Sequence, residues 1–303
     1  MDYKSNLNQV LSKGRFAVTA EIGPPKGSNP DKIKQKGEIL RGYADAFNIT
    51  DNQTAVVRLS SMAGCCILLK MDLEPIMQLA CRDRNRIALQ SDVLGAAAIG
   101  VKNILCITGD HQSFGNHPSS KGVYDIDSIQ LINIIKDMRD KGIFQNGEEI
   151  LSGKPDVFIG AAANPFADPY DYRVDRLEKK INAGVDFIQT QSVFNVEKFK
   201  IWMDEVHSRG LHKKVHILAG VTPLKSLKMT ERMKFHVPGV DIPKDIYKRM
   251  KNATDPKKEG YDIAIHLINE IKKINGVNGV HITALFWEDI IPSLVEESEL
   301  LPK

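Results

Sequence analysis

The chain has 303 residues, 42% of them hydrophobic and 26% charged, with a formal net charge of +3. That is the composition of a globular chain large enough to bury a sizeable core. A charge this small, spread along helical segments, does not argue for a nucleic-acid partner. No apolar stretch reaches the roughly 18 residues of a membrane helix, and MDYKSNLNQV lacks the apolar centre of a signal peptide. Cysteines at 65, 66, 81 and 106 form no CxxC pair. They read as reduced thiols in a cytoplasmic protein, not as metal ligands, with a disulfide the weaker alternative.

Eight short apolar runs follow one another: Phe16–Ala20, Ala46–Ile49, Ile76–Ala80, Asn103–Ile107, Asp156–Ala161, Asp186–Gln189, Val215–Ala219 and Val280–Leu285. Seven of the eight gaps between or after them can hold a helix. Asp31–Tyr43 opens after Asn29-Pro30, a cap-and-turn signal. Arg84–Ile99 shows an apolar stripe at Ile87, Leu94 and Ala98. Asp127–Lys141 carries Ile129, Leu131, Ile132, Ile135 and Met138 at helical spacing. Tyr170–Ala183 and Val196–Arg209 each stop at a glycine. Two segments are long for barrel connections, His111–Asp125 and Gln145–Lys154. The first is expected over a ligand on the catalytic face, the second on the opposite face in a structural role.

Strands alternating with helices predict an α/β protein, a (β/α)8 TIM barrel formed as one domain over residues 1–303. An open doubly wound sheet is the alternative. It would want a glycine fingerprint after the first strand, where this chain has Gly23-Pro24-Pro25-Lys26-Gly27. In a barrel the active site gathers at the carboxyl ends of the strands. The residues there are Glu21, Thr50, Arg82, Asp110, Asn164, Gln191, Thr222 and Phe286.

Glu21 ends the first strand before a stiff Pro-Pro turn, where a carboxylate suits general acid work. Ala20 and Ile22 are expected to push its pKa toward neutrality. The alternative is a helix cap or a surface ion pair. Thr108-Gly109-Asp110 allows close backbone approach to a flat ligand, with Asp110 beside a ring N–H or a developing cation, or it is a plain turn. Arg82 and Arg84 suit a phosphate or carboxylate, and an internal Arg–Asp pair is the competing reading. Gln189 and Gln191 share one strand face, and amides there can read a heterocycle edge. Lys180 alone reads as a solvated helix residue. No HExxH, GxSxG or Cys–His pattern occurs, so the rim suits a cofactor that carries the hard chemistry itself.

Taken together, TAEIGPPKG, FNITDN, LACRDRNR, CITGD, AANPF, LEKKINAGVDFIQTQSVFNVEKF and AGVTPL, in this order and at strand ends, resemble the methylenetetrahydrofolate reductase family over nearly the whole chain. The resemblance implies a flavoprotein of one-carbon metabolism and methionine biosynthesis that reduces 5,10-methylenetetrahydrofolate to 5-methyltetrahydrofolate. FAD is the family's usual cofactor and FMN the alternative. Glu21 matches the general acid that opens the folate five-membered ring to an iminium, which takes a hydride from reduced flavin. Asp110 matches the aspartate beside flavin and pterin, and Gln191 the substrate glutamine. Thr50, Arg82, Gly109, Asp110, Asn164 and Lys180 are the implied flavin contacts, Lys180 serving the phosphate.

Departures accompany the match. Asn164 stands for a histidine of some members, Gly160 for a tyrosine and Arg173 for an acidic flavin contact, which bears on FAD against FMN. Leu227 aligns with a phenylalanine that stacks on nicotinamide. A chain without that ring is expected to be reduced by an electron-transfer partner protein and not by free NAD(P)H, and to work as an oligomer or a subunit of a complex. A flavin-carrying folate-binding subunit active only within such a complex is the second functional reading. No C-terminal regulatory domain is expected.

Overall fold

A computed structural model describes residues 5–301. Eight parallel strands run β1 (Ala17–Ile22), β2 (Ala46–Ile49), β3 (Pro75–Ala80), β4 (Asn103–Ile107), β5 (Phe158–Ala163), β6 (Phe187–Ser192), β7 (His216–Val221) and β8 (Val277–Ile282). They pair in chain order, and β8 returns to β1 to close the barrel. All eight apolar runs of the sequence became strands, with ends shifted by a few residues. The shift matters at two places: β1 extends to Ile22 and β6 to Ser192, so Glu21 and Gln191 sit within strands. At the other end, β8 stops at Ile282 and leaves Leu285 and Phe286 in the following loop.

The outer layer is built from α1 (Asn6–Ser12), α2 (Asp31–Leu40), α3 (Ser61–Leu69), α4 (Arg86–Ala98), α5 (Ser128–Asp140), α6 (Arg173–Ala183), α7 (Val196–Ser208), α8 (Leu227–His236), α9 (Lys244–Asn252), α10 (Pro256–Ile271) and α11 (Ile291–Glu297). The structure corrects the α4 stripe. Leu89, Val93 and Ala96 are its buried residues, whereas Ile87 is 74% exposed. The run Gly95-Ala96-Ala97-Ala98 carries little contrast between faces, which blurs the periodicity. Glycine ends α6 as expected: Gly184 has φ +109°, a left-handed turn that lets the chain reverse into β6.

Strand alternation sorts the barrel interior into layers. At the amino-terminal end, Ala17, Ala46, Ile76, Leu105, Phe158, Phe187 and Leu218 pack with Leu7, Val10 and Leu11 of α1. The Phe158 and Phe187 rings stack at 5.1 Å. Helix α1 plugs this end because Glu74 accepts the Leu7 N–H at 2.9 Å and Ser5 caps the helix. One layer up, the interior turns polar with Thr19, Asn48, Gln189 and His281. Above them opens the mouth.

Candidate active site

The alternation that buries Thr19 turns Glu21 toward the mouth and sends Ala20 and Ile22 outward, into the fully buried layer between strands and helices. Those two residues therefore do not surround the carboxyl, which corrects the expectation. Glu21 instead shares a cleft with Lys36, Gln53, Arg58, Phe286 and Glu288. Burial, then the nearby Glu288 charge, pushes its pKa from 4.5 up to about 7, against the opposing pull of Lys36 and Arg58. A carboxyl that keeps its proton near neutrality can act as a general acid.

The cleft walls are tied together. Lys36 Nζ pairs with the Glu288 carboxylate and reaches the Gly23 carbonyl at 3.4 Å. Arg58 donates from Nη1 to the Pro24 carbonyl at 2.9 Å, and the Leu59 N–H donates to Pro25 at 2.9 Å. The Pro-Pro turn thus anchors the loop after β2. Arg58 Nε is buried and has no partner. Phe286, 75% exposed, holds a left-handed backbone at φ +54°.

Across the mouth, Gly109 (φ +91°) and Asp110 follow β4. A side chain at Gly109 would press on Arg82, whose Cβ lies 3.0 Å from the Cβ position. Asp110 is exposed and its Oδ2 accepts the Thr54 N–H at 3.0 Å. Arg82 is only 2% exposed. Its guanidinium pairs with Asp83 at 2.7 Å and donates to the carbonyls of Asp110 and Asn52, each at 3.2 Å. Arg82 is thus a clamp on two rim loops, and the internal Arg–Asp pair describes it better than a phosphate contact.

The segment 111–125 lies on this face as expected. It packs as a wall: Gly115 sits so close to the Ala55 carbonyl that a Cβ would fall 1.7 Å from the oxygen, and Asn116 Oδ1 accepts the Val57 N–H at 3.1 Å. Gln112 Oε1 in this wall is buried without a partner.

The two β6 glutamines do share a face but part in role. Gln191 is at the mouth, its Oε1 accepting the Ser192 N–H at 3.1 Å. Gln189 is 3% exposed and bonds Asn48 and Thr19 inside the barrel, each at 3.0 Å. Thr50 is buried and donates to Gln53, itself a cleft residue, at 2.5 Å. Asn164 accepts the Phe166 N–H at 3.2 Å and packs on Gly239. Gly160 faces the Phe187 ring, 2.2 Å from where a Cβ would sit. That departure therefore concerns core packing, and no tyrosine could enter there without moving Phe187. Leu227 opens α8, partly buried.

Lys180 is not a solvated helix residue. It is 7% exposed, and its amine donates to the Ala162 carbonyl. No carboxylate lies within salt-bridge distance of it among the described residues, and burial lowers its pKa to about 8. Sequence reasoning missed Lys36, Arg58 and Glu288, because nothing local marks residues that meet Glu21 only once the barrel closes. It also missed Thr19, Asn48 and His281, the polar layer inside the barrel. Among the described residues no cluster of His, Cys, Asp or Glu could hold a metal ion, and no helix is long and apolar enough to cross a membrane.

A model of the family described as methylenetetrahydrofolate reductase matches residues 6–299. The chain belongs to that family. It is 26% identical over 248 residues to methylenetetrahydrofolate reductase 2 of Schizosaccharomyces pombe, covering 75% of this chain and 36% of that protein. The chain thus spans little over a third of that fungal relative. It is 23% identical over 294 residues to the 5,10-methylenetetrahydrofolate reductase of Pectobacterium carotovorum, covering 92% of this chain and 89% of that one. In fold it is similar, with a TM-score of 0.68 and 18% identity, to an uncharacterized protein from Clostridium thermocellum that binds two copies of 5-methyl-5,6,7,8-tetrahydrofolic acid. That likeness covers 97% of this chain and 98% of the other. The matched residues include Glu21, Asp110 and Gln191.

Proposed function

We propose that the chain reduces 5,10-methylenetetrahydrofolate to 5-methyltetrahydrofolate with the help of a flavin. The observation that carries this is Glu21, a carboxyl at the barrel mouth that holds its proton up to about pH 7. Protonating the folate opens its five-membered ring and leaves an iminium. Asp110, exposed on the rim across from Glu21, orients the pterin and offsets the developing cation. Gln191 offers an amide to the heterocycle edge. The folate-binding Clostridium thermocellum protein supports this class of substrate.

The residues fit a flavin. Lys180 is a buried amine without a carboxylate partner, suited to a phosphate. Gln112 Oε1, a buried acceptor without a partner, and Thr50 offer further polar contacts. Arg82 would serve indirectly, by holding Gly109 and Asp110 in place. A bound flavin supplies the hydride; FAD is the form usual in the family.

Leu227 favours one refinement. An aliphatic side chain cannot stack on nicotinamide as a ring does. Electrons therefore come from a partner protein, and the chain works within a complex. Rapid flavin reduction by NADH alone would refute this part.

The test is a visible spectrum of the purified protein, followed by anaerobic 5-methyltetrahydrofolate. A flavin spectrum that bleaches supports the reaction run in reverse. A colourless protein that takes up neither FAD nor FMN would overturn the reading.

A further inference from the structure

Glu21 has no cation within salt-bridge distance among the described residues, although one stands beside it. Lys36, on α2, lines the same cleft, yet its amine is engaged by Glu288 and by the Gly23 carbonyl. Glu288 lies on the 3-10 turn Glu288–Ile290, just before α11. The pair bridges α2 to the chain emerging from β8, across the seam where β8 closes on β1. Both side chains are sheltered, with 24% and 13% of their surface exposed. A half-buried lysine beside a carboxyl would ordinarily pair with it and ionise it.

We propose that Glu288 is a positioning residue that sequesters Lys36 from Glu21, and so keeps Glu21 available as a proton donor. This deepens the proposed function and rests on its assignment of Glu21. The charged groups facing Glu21 are Lys36 from α2, Arg58 from the segment after β2 and Glu288 from the turn after β8. Arg58 is anchored through Nη1 on the Pro24 carbonyl and stays the same in every variant compared below. Lys36 is thus the cation whose pairing can change, acting on Glu21 on top of the effect of burial.

The arrangement predicts opposite effects from the two halves of one ion pair. Glu288→Gln frees Lys36 to pair with Glu21 and lowers the pH at which Glu21 loses its proton. Lys36→Gln leaves the Glu288 charge uncompensated beside Glu21 and raises it. The double variant Lys36→Gln/Glu288→Gln removes both charges and returns the midpoint toward the parent value. Each single shift is expected at about one pH unit, a tenfold change in proton affinity.

Two readouts test this. The first is the Glu21 carboxyl band in infrared titration of the cofactor-free protein, assigned by its loss in Glu21→Gln. The second is the alkaline limb of kcat/KM for methylenetetrahydrofolate reduction driven by reduced methyl viologen. Shifts of opposite sign, cancelling in the double variant, support the proposal. Midpoints that stay put, or that move the same way in both single variants, overturn it. Active protein with unmoved midpoints refutes the sequestration and leaves the reductase reading standing. Opposed infrared shifts in a protein without reductase activity support the sequestration and refute the reading of function.

Discussion

Asn48 on β2 and Gln189 on β6 exchange two amide hydrogen bonds inside the barrel, 2.6 Å from Asn48 Nδ2 to Gln189 Oε1 and 3.0 Å in return. In an eight-stranded barrel, β2 and β6 stand on opposite walls, so the pair braces the interior just below the mouth. Thr19 and His281 extend it, Thr19 Oγ1 lying 3.0 Å from His281 Nδ1. Burial drops the His281 pKa to about 4, which keeps the ring neutral. Either Asn48→Leu or Gln189→Met strands a buried amide and should cost about 1–3 kcal/mol. The double variant should cost less than the sum of the two. Urea denaturation of all four proteins measures the coupling, and strict additivity would show the brace to be energetically idle.

Glu21→Gln should cut folate reduction by at least ~100-fold while leaving cofactor uptake unchanged, as loss of a general acid does. It should also change stability in a pH-dependent way. The folded state keeps the Glu21 proton to about pH 7, whereas the unfolded chain releases it near 4.5. The unfolded state therefore binds fewer protons in this window, and the parent loses stability as pH rises from 4.5 to 7. Glutamine has no proton to lose. The variant should match the parent near pH 4 and exceed it at pH 8 by up to about 3 kcal/mol. Equal melting curves across the range would mean that Glu21 titrates as an exposed carboxyl.

If the proposed site is right, Asp110→Asn should weaken folate binding and shift the flavin reduction potential, because it would remove a negative charge from beside both. Its bond from the Thr54 N–H can be kept by the amide oxygen, so the loop should stay in place. If affinity and potential both hold at parent values, the aspartate serves only the turn.

Phe286 lines the Glu21 cleft, exposed and on a left-handed backbone. The left-handed region costs a non-glycine residue about 1–2 kcal/mol. Phe286→Gly should therefore raise thermal stability slightly, and it should weaken 5-methyltetrahydrofolate binding several-fold if the ring packs on the flat ligand. Tighter or unchanged binding would remove the ring from the site.

Much of the fold is legible in the sequence. The eight strands announced themselves because a strand buried on both faces must be apolar over several consecutive residues. The catalytic candidates followed from the rule that strand carboxyl ends form the rim. Local pattern failed where tertiary packing overrode it. The α4 stripe is ambiguous in the sequence because alanine and glycine carry little periodic signal. Helix α1 went unread because it is short, polar at its start and held by Glu74, far along the chain. The sequence around Arg82 fits a ligand contact and an internal pair equally, because only the fold shows which carbonyls it meets.

By itself the sequence determined the barrel, its rim and the family, because these depend on residue type at regular intervals. The tertiary structure alone decided what each rim residue is next to. Closure of β8 on β1 sets Glu288 and Lys36 beside Glu21. The charge on a carboxyl depends on neighbours in space and on access to water, and neither is encoded in the residues adjacent to it in the chain.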